Sequence, residues 1–197
     1  MSKILIGLAV VLAFILFIGG ISLLAVIGTH NNLVKSDVNV EQKWGAVQSA
    51  YQRRADLIPN LVAVVQQYSD YEGDTLKAVT QARASIGGAR TPAELDAAGG
   101  QINSALSRLL VVVEQYPNLK ANEQYLNLQV QLEGTENRIN TERNYYNTAV
   151  QDYKTRVRTF PSNIIANIFG FDETKWEMFK ADADAQNSPK VAELFHK

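Results

Sequence analysis

Arg53, Arg54, Asp56 and Asn60 crowd a short stretch that is otherwise apolar, and Glu133, Glu136 and Arg143 recur along a later run with helical spacing. A carboxylate pair such as Glu133 and Glu136 could share a proton or hold a cation. Di-iron bundles, however, combine glutamates with a Glu-x-x-His motif on paired helices. The two histidines here, His30 and His196, lie at opposite ends of the chain. With no cysteine, disulfide frameworks, zinc–thiolate sites, iron–sulfur clusters and thiol nucleophiles are excluded. No phosphate-cradling glycine loop, G-x-S-x-G turn or H-E-x-x-H helix occurs either. The residues therefore predict no catalytic site, no metal, no cofactor and no small-molecule substrate. A different chemistry suits them. Charges at the seam between helices are costly to bury unless paired and hydrogen-bonded. Arg54 follows Val47 by seven positions, and Glu136 and Arg143 hold stripe positions of their own run. The expectation is that Arg53 or Arg54, Asp56, Asn60, Glu136 and Arg143 form an interhelical polar network with at least one buried ion pair. It would fix the register of two helices. The alternative is that some of these long side chains snorkel out to solvent.

The elements that must carry these side chains read as helices throughout. Val40, Trp44, Val47, Tyr51 and Ile58 keep a three- or four-residue rhythm, continued by Leu61, Val65 and Tyr68 and then by Leu76, Val79 and Ile86. Pro59 removes one backbone hydrogen bond and crowds the preceding turn, which predicts a kink or break near Leu57. Gly87-Gly88 ends the second helix. Thr91-Pro92-Ala93-Glu94 starts the third: a hydroxyl at the N-cap, Pro92 at the first helical position and Glu94 at the third make a capping box. Leu95, Ile102, Leu106, Leu109 and Val113 form its stripe. Gly99-Gly100 costs about 1 kcal/mol per glycine relative to alanine and predicts fraying there, and Tyr116-Pro117 closes the helix. A fourth run, from about Leu119 to Phe160, repeats every seven residues through Tyr125, Leu132, Ile139, Tyr146, Tyr153 and Phe160, with Tyr145 beside it as a further packing residue. After Pro161 the apolar cluster Ile164 to Phe171 either caps the open end of the bundle, the preferred reading, or lies in a membrane interface. The fold class is all-α: an elongated antiparallel bundle of long helices.

The hydrophobic residues, 46% of a chain of 197 residues with net charge -1, are unevenly spread. From Ile4 to Gly28 there is no charge, and Ser22 is the only hydroxyl. As a helix this segment is roughly 37 Å long, enough to cross a hydrocarbon layer of ~30 Å. A cleaved signal peptide would have a shorter apolar core, about 7–15 residues, and a small-x-small cleavage site, so an uncleaved anchor is the preferred reading. Lys3 and the α-amino group on one flank balance Lys35 and Lys43 on the other, which leaves the side of the membrane open. The charge near zero argues against nucleic acid as a partner. Lys154, Arg156 and Arg158, interleaved with Tyr153, read as a solvated helix face. The organisation expected is a transmembrane anchor over 1–31, a helical bundle over 32–180 and a polar tail over 181–197.

Several blocks in order carry a family resemblance. Tyr51-Gln52-Arg53-Arg54-Ala55-Asp56-Leu57-Ile58-Pro59-Asn60-Leu61-Val62 resembles the signature of the LemA family of bacterial membrane proteins. Ser107 to Glu114, Tyr116 to Ala121, Leu132 to Ile139, and Phe160-Pro161 with Phe169-Gly170-Phe171 are similar in turn. The likeness runs from about Leu33 to Phe179, and the segment from Asp182 to Lys197 departs from it. The resemblance implies an N-terminal membrane helix, long antiparallel helices, and a short N-terminus outside with the bundle in the cytoplasm. It brings no molecular activity with it.

These readings converge on a single-pass protein of the bacterial inner membrane, anchored in the lipid bilayer through residues 4–28. Its expected role is that of a non-enzymatic scaffold or adaptor, partnered by copies of itself or by another membrane protein. Ala9 and Ala13 add a weak small-xxx-small contact signal. A sensor transmitting through the Pro59 kink is the first alternative, and an enzyme with a carboxylate site around Glu136 the least favoured.

Overall fold

The computed structural model describes residues 2–68 and 74–180. Among these, the helices are α1 (Ser2–Gln66), α2 (Asp74–Gly88), α3 (Pro92–Glu114), α4 (Pro117–Lys120), α5 (Glu123–Arg158) and α6 (Ser162–Phe169), followed by a 3-10 turn at Glu173–Lys175. No strand occurs among the described residues. The fold is all-α, with long helices. One stretch of α1 is apolar and long enough to cross a membrane: its mean hydropathy is 3.0 and none of it is buried by protein.

The chain forms two compact units, residues 1–47 with 144–176 and residues 48–143 with 177 onward. In the first, Leu33, Val40 and Val47 stand seven apart along α1 and are almost wholly buried, as are Tyr146, Val150 and Tyr153 on α5. Trp44 meets Tyr146 with ring centroids 5.4 Å apart. The Lys43 ammonium lies 5.3 Å from the Tyr145 ring centre. The Tyr153 hydroxyl donates to the Asp172 carbonyl at 3.1 Å. Burial first, then the carboxylates of Asp37 and Asp172, push its pKa up to about 12. Asp172 caps the 3-10 turn by accepting from the Thr174 amide at 2.8 Å, and Arg158 pairs with Glu173.

The second unit packs α2 against α3. Arg54 meets Glu136 and Tyr68 meets Asn122, so α5 runs antiparallel to this part of α1. Ala55, Ile58, Leu61 and Val65 from α1 join Ile86, Leu95, Ile102, Leu109 and Ile139 in its core. Thr91 caps α3, its hydroxyl accepting from the Glu94 amide at 3.2 Å, while the Glu94 carboxylate accepts from the Arg90 amide at 2.7 Å. Pro92 sits at the first turn.

Several local expectations are corrected. The break offered at Pro59 does not occur, since α1 is helical from Ser2 to Gln66. The proline deprives the Ala55 carbonyl of a partner, but Ala55, Ile58, Leu61 and Val62 around it are buried, and that packing outweighs the ~3 kcal/mol penalty. Gly99-Gly100 does not fray, because α3 is helical from Pro92 onward and Gly99 is buried. The proposed fourth run is two helices. α3 does end just before Tyr116-Pro117, at Glu114, but Pro117 also opens the one-turn α4, and the Asn122 side chain restarts the helix by accepting from the amides of Gln124 and Tyr125 at 2.9 and 3.1 Å. Tyr145 is 54% exposed and Phe160 74%, so neither fills the seam. The Ile164 to Phe171 cluster is divided: Ile165 and Ala166 are buried, whereas Ile164, Ile168 and Phe169 are open. The side chains of Leu76 and Val79, and the tail from residue 181 with His196, lie outside the described residues.

Candidate functional site

The polar side chains of the second unit gather where α1, α3 and α5 meet. Tyr51 leaves α1 buried in this layer, and its hydroxyl donates to Asp96 Oδ1 on α3 at 3.0 Å. Arg143 of α5 reaches the same carboxylate at 3.2 Å. Its guanidinium also lies over the Phe179 ring, 4.7 Å from the centre. One turn further along α1, Arg54 pairs with Glu136 of α5. The Arg54 side chain is 14% exposed and Glu136 44%, so the pair is anchored inside and opens outward. Arg54 Nε is buried without a hydrogen-bond partner among the described residues.

Why these groups converge follows from helical spacing. Arg54 stands one turn after Ala50 and Tyr51, both buried, and Arg143 and Glu136 are one heptad apart on α5, bracketing the buried Ile139. On α3, Asp96, Gly99 and Asn103 share a face. Gly99 is what lets the helices close. A Cβ built there would stand 2.6 Å from Tyr51 Cε1, closer than carbon atoms approach. Burial, then the Asp96 carboxylate, holds the Tyr51 hydroxyl far above its ordinary pKa, with the Arg143 guanidinium acting in the opposite direction.

Two hollows flank the layer. One, of about 220 Å³, is lined by Tyr51, Asp96, Gly99, Asn103, Asn140 and Arg143, with Arg54 and Glu136 at its side. The other, of about 340 Å³, is mostly apolar, with walls from Leu61, Leu106, Leu110, Tyr125 and Leu132 and the Arg54–Glu136 pair at one end. Glu133 lines this second hollow too.

Of the residues singled out from sequence, the structure brings Arg54 and Glu136 into direct contact. It places Arg143 in the neighbouring cluster on Asp96. Asp56 turns the other way: it accepts from Gln52 at 3.1 Å and pairs with Arg83 of α2 at 3.0 Å, so it joins α1 to α2 and not to α5. Arg53 and Asn60 are exposed on α1 and belong to neither cluster. Pro59 and the Thr91, Pro92 and Glu94 cap are framework and line neither hollow.

Asp96, Gly99, Asn103, Arg83 and the hydroxyl of Tyr51 were missed. Tyr51 had been read only as a stripe residue. The signal for Asp96, Gly99 and Asn103 lay in small and polar residues at helical spacing on α3, whereas Arg83 on α2 carried no such signal.

What this layer can do is bind helices to each other. Three pairs cross between helices, Asp56 with Arg83, Asp96 with Arg143 and Glu136 with Arg54, while Glu142 pairs with Arg138 one turn away on α5 itself. Among the described residues no three His, Cys, Asp or Glu side chains gather in a metal-holding group.

The chain is similar in sequence to several known proteins. Protein LemA of Metamycoplasma hominis is 28% identical over 160 residues, covering 79% of this chain and 71% of that protein. Magnetosome protein MamQ 2 of Paramagnetospirillum magneticum is 35% identical over 99 residues, 50% of this chain and 35% of its own length. Magnetosome protein MamQ of Magnetospirillum gryphiswaldense is 30% identical over 79 residues, 40% of this chain and 29% of its own. The chain thus spans about a third of the length of these MamQ relatives. The LemA family model matches residues 43–192, a span that holds every pair of the polar layer and extends past Phe179. With its polar layer and about three quarters of its length inside that match, the chain belongs to the LemA family.

Proposed function

We propose that this protein is a non-enzymatic scaffold anchored by one span in a bacterial inner membrane, with its helical domain on the cytoplasmic side. It works through helix-to-helix contacts with copies of itself or with another membrane protein. One observation carries the reading. Leu110 and Val111 on α3, and Leu126 and Val130 on α5, are exposed apolar side chains of the second unit. Leu110 also borders the apolar hollow between Leu106 and Tyr125. An exposed apolar surface beside such a hollow suits the ridge of a partner helix. The carboxylates add support from the other side, since Asp96 and Glu136 in the polar layer are each engaged by an arginine.

In-cell cross-linking, followed by gentle detergent extraction and mass spectrometry, tests it. Stoichiometric cross-links to this chain or to one other protein are expected, and they should vanish in Leu110→Asp and Val130→Asp chains that keep the parent's helical content. Recovery of the uncross-linked chain alone, or cross-links that persist in both variants, would overturn the proposal.

A further inference from the structure

The exposed face of α6 remains unexplained by these contacts. Ile164, Ile168 and Phe169 are 49%, 68% and 52% exposed on a helix whose Ile165 and Ala166 are buried, and Phe160 just before it is more open still. The position of this face along α1 is well defined. Phe169 and Phe171 pack edge-on against His30, with ring centroids 4.7 and 5.7 Å away. His30 stands two residues past Gly28, where the apolar segment ends and Thr29, His30, Asn31 and Asn32 follow, so at 1.5 Å per residue it is about 3 Å beyond that end. The direction of the chain is set as well. Asp37 accepts from Lys175 at 2.6 Å and from the Trp176 indole N–H at 2.8 Å, two turns or about 10 Å further from the apolar segment. From Trp176 back to Phe169 the chain therefore descends α1 toward its apolar end. Gly170, in the left-handed conformation at φ 76°, makes the bend that returns Phe171 to His30.

We propose that α6 is a membrane-interface helix, with Ile164, Ile168 and Phe169 seated among the headgroups and upper acyl chains of the phospholipid bilayer that α1 enters. An interfacial helix buries its apolar face about 5–10 Å into the headgroup boundary and keeps cationic groups beside it. The placement at His30 meets the first condition. Lys35 of α1 and Arg156 of α5 meet the second. They line one shallow polar hollow with Asn32, Ser36, Asn39 and Asp152, one to two turns from His30. Lys175 does not serve, because Asp37 holds it. Phenylalanine is among the residues that such helices present on their apolar face. The chain would then hold the bilayer at two places, through the span and through the face of α6, which fixes the first unit against tilting about the span.

This inference rests on the reading of α1 as a membrane anchor, and the test separates the two. The chain lacks cysteine, so single spin-labelled cysteines can be placed one at a time in the full chain in vesicles of phosphatidylcholine and phosphatidylglycerol. Labels go at Ile164, Ile168, Leu16 within the span and Gln151 on exposed α5. For Ile164 and Ile168, collisions with dissolved oxygen should exceed those with a water-soluble nickel chelate, with nickel collisions at least about threefold below Gln151. Agreement between the two α6 positions guards against distortion by one label. Nickel access at both α6 labels equal to that of Gln151, or labels shielded from both reagents as against protein, would overturn the α6 assignment while a lipid-facing Leu16 leaves the anchor standing. A water-exposed Leu16 would overturn both.

Discussion

At Gly99 a single hydrogen occupies the place where any other residue would put a carbon, 2.6 Å from the Tyr51 ring. Gly99→Ala gains roughly 1 kcal/mol of helix propensity, but a contact that close in a packed layer costs about 1–3 kcal/mol. The net expectation is a loss of about 1 kcal/mol. Gly100, with no atom within 4 Å of its built Cβ, should show the opposite, a gain of up to about 1 kcal/mol on substitution by alanine. Urea unfolding of the two variants checks both signs. Arg54 and Glu136 make a second test. Because Glu136 is nearly half exposed, the coupling in a cycle of Arg54→Met and Glu136→Leu should be about 1 kcal/mol, and strictly additive losses would show that the pair only meets and does not bind. The tyrosines supply a pH signature. Tyr51 and Tyr153 have pKa values raised on folding, so their contribution is fully present below the ordinary phenol value and is lost as pH rises through the folded one, about 12 for Tyr153. Stability should fall above about pH 10, with phenolate absorbance rising in step with loss of helix, and Tyr51→Phe and Tyr153→Phe should flatten that fall. At this scale the sequence was only half informative. That arginines and carboxylates at seam positions must find partners was readable, because burial cost is a property of the side chain alone. Which partner each takes was not: Arg54 and Asp56 stand two residues apart, about 200° round α1, so they must face different helices, but the spacing does not say which helix lies on which side.

Among the elements, Pro59 is the sharpest case. Its ring and missing N–H argue for a break by local rules, yet α1 passes through it because the apolar residues on either side have a shared core to fill. Pro59→Ala restores a donor to the Ala55 carbonyl and should raise the unfolding free energy by about 1–3 kcal/mol, read from thermal or urea melts. A variant less stable than the parent would mean that the proline ring itself is needed for packing. The caps and heptads were legible for the converse reason. Thr91, Pro92 and Glu94 act within one turn, and Leu33, Val40 and Val47 or Tyr146 and Tyr153 announce a buried face by spacing alone. The Pro117–Asn122 break was not legible, because a proline at the first turn of a new helix and one after the last turn of an old helix look alike without the cap that follows.

For the molecule as a whole, the anchor was the most readable feature, since an uncharged segment of that length has few other uses, while the orientation was balanced by lysines on both flanks. Single cysteines at Ser2 and Ser188 settle it: with the bundle in the cytoplasm, only the Ser2→Cys chain should react with a membrane-impermeant thiol reagent in intact cells. Helix α1 leaves its apolar segment with no intervening loop, and this has a geometrical consequence. Each residue of an α-helix turns the next by about 100°. The number of residues between Gly28 and Leu33 is therefore a compass setting, which decides the azimuth at which Leu33, Val40 and everything bound to them face within the plane of the bilayer. Adding two residues there would swing that bearing by about 200°, while adding four would return it to within about 40° of the original.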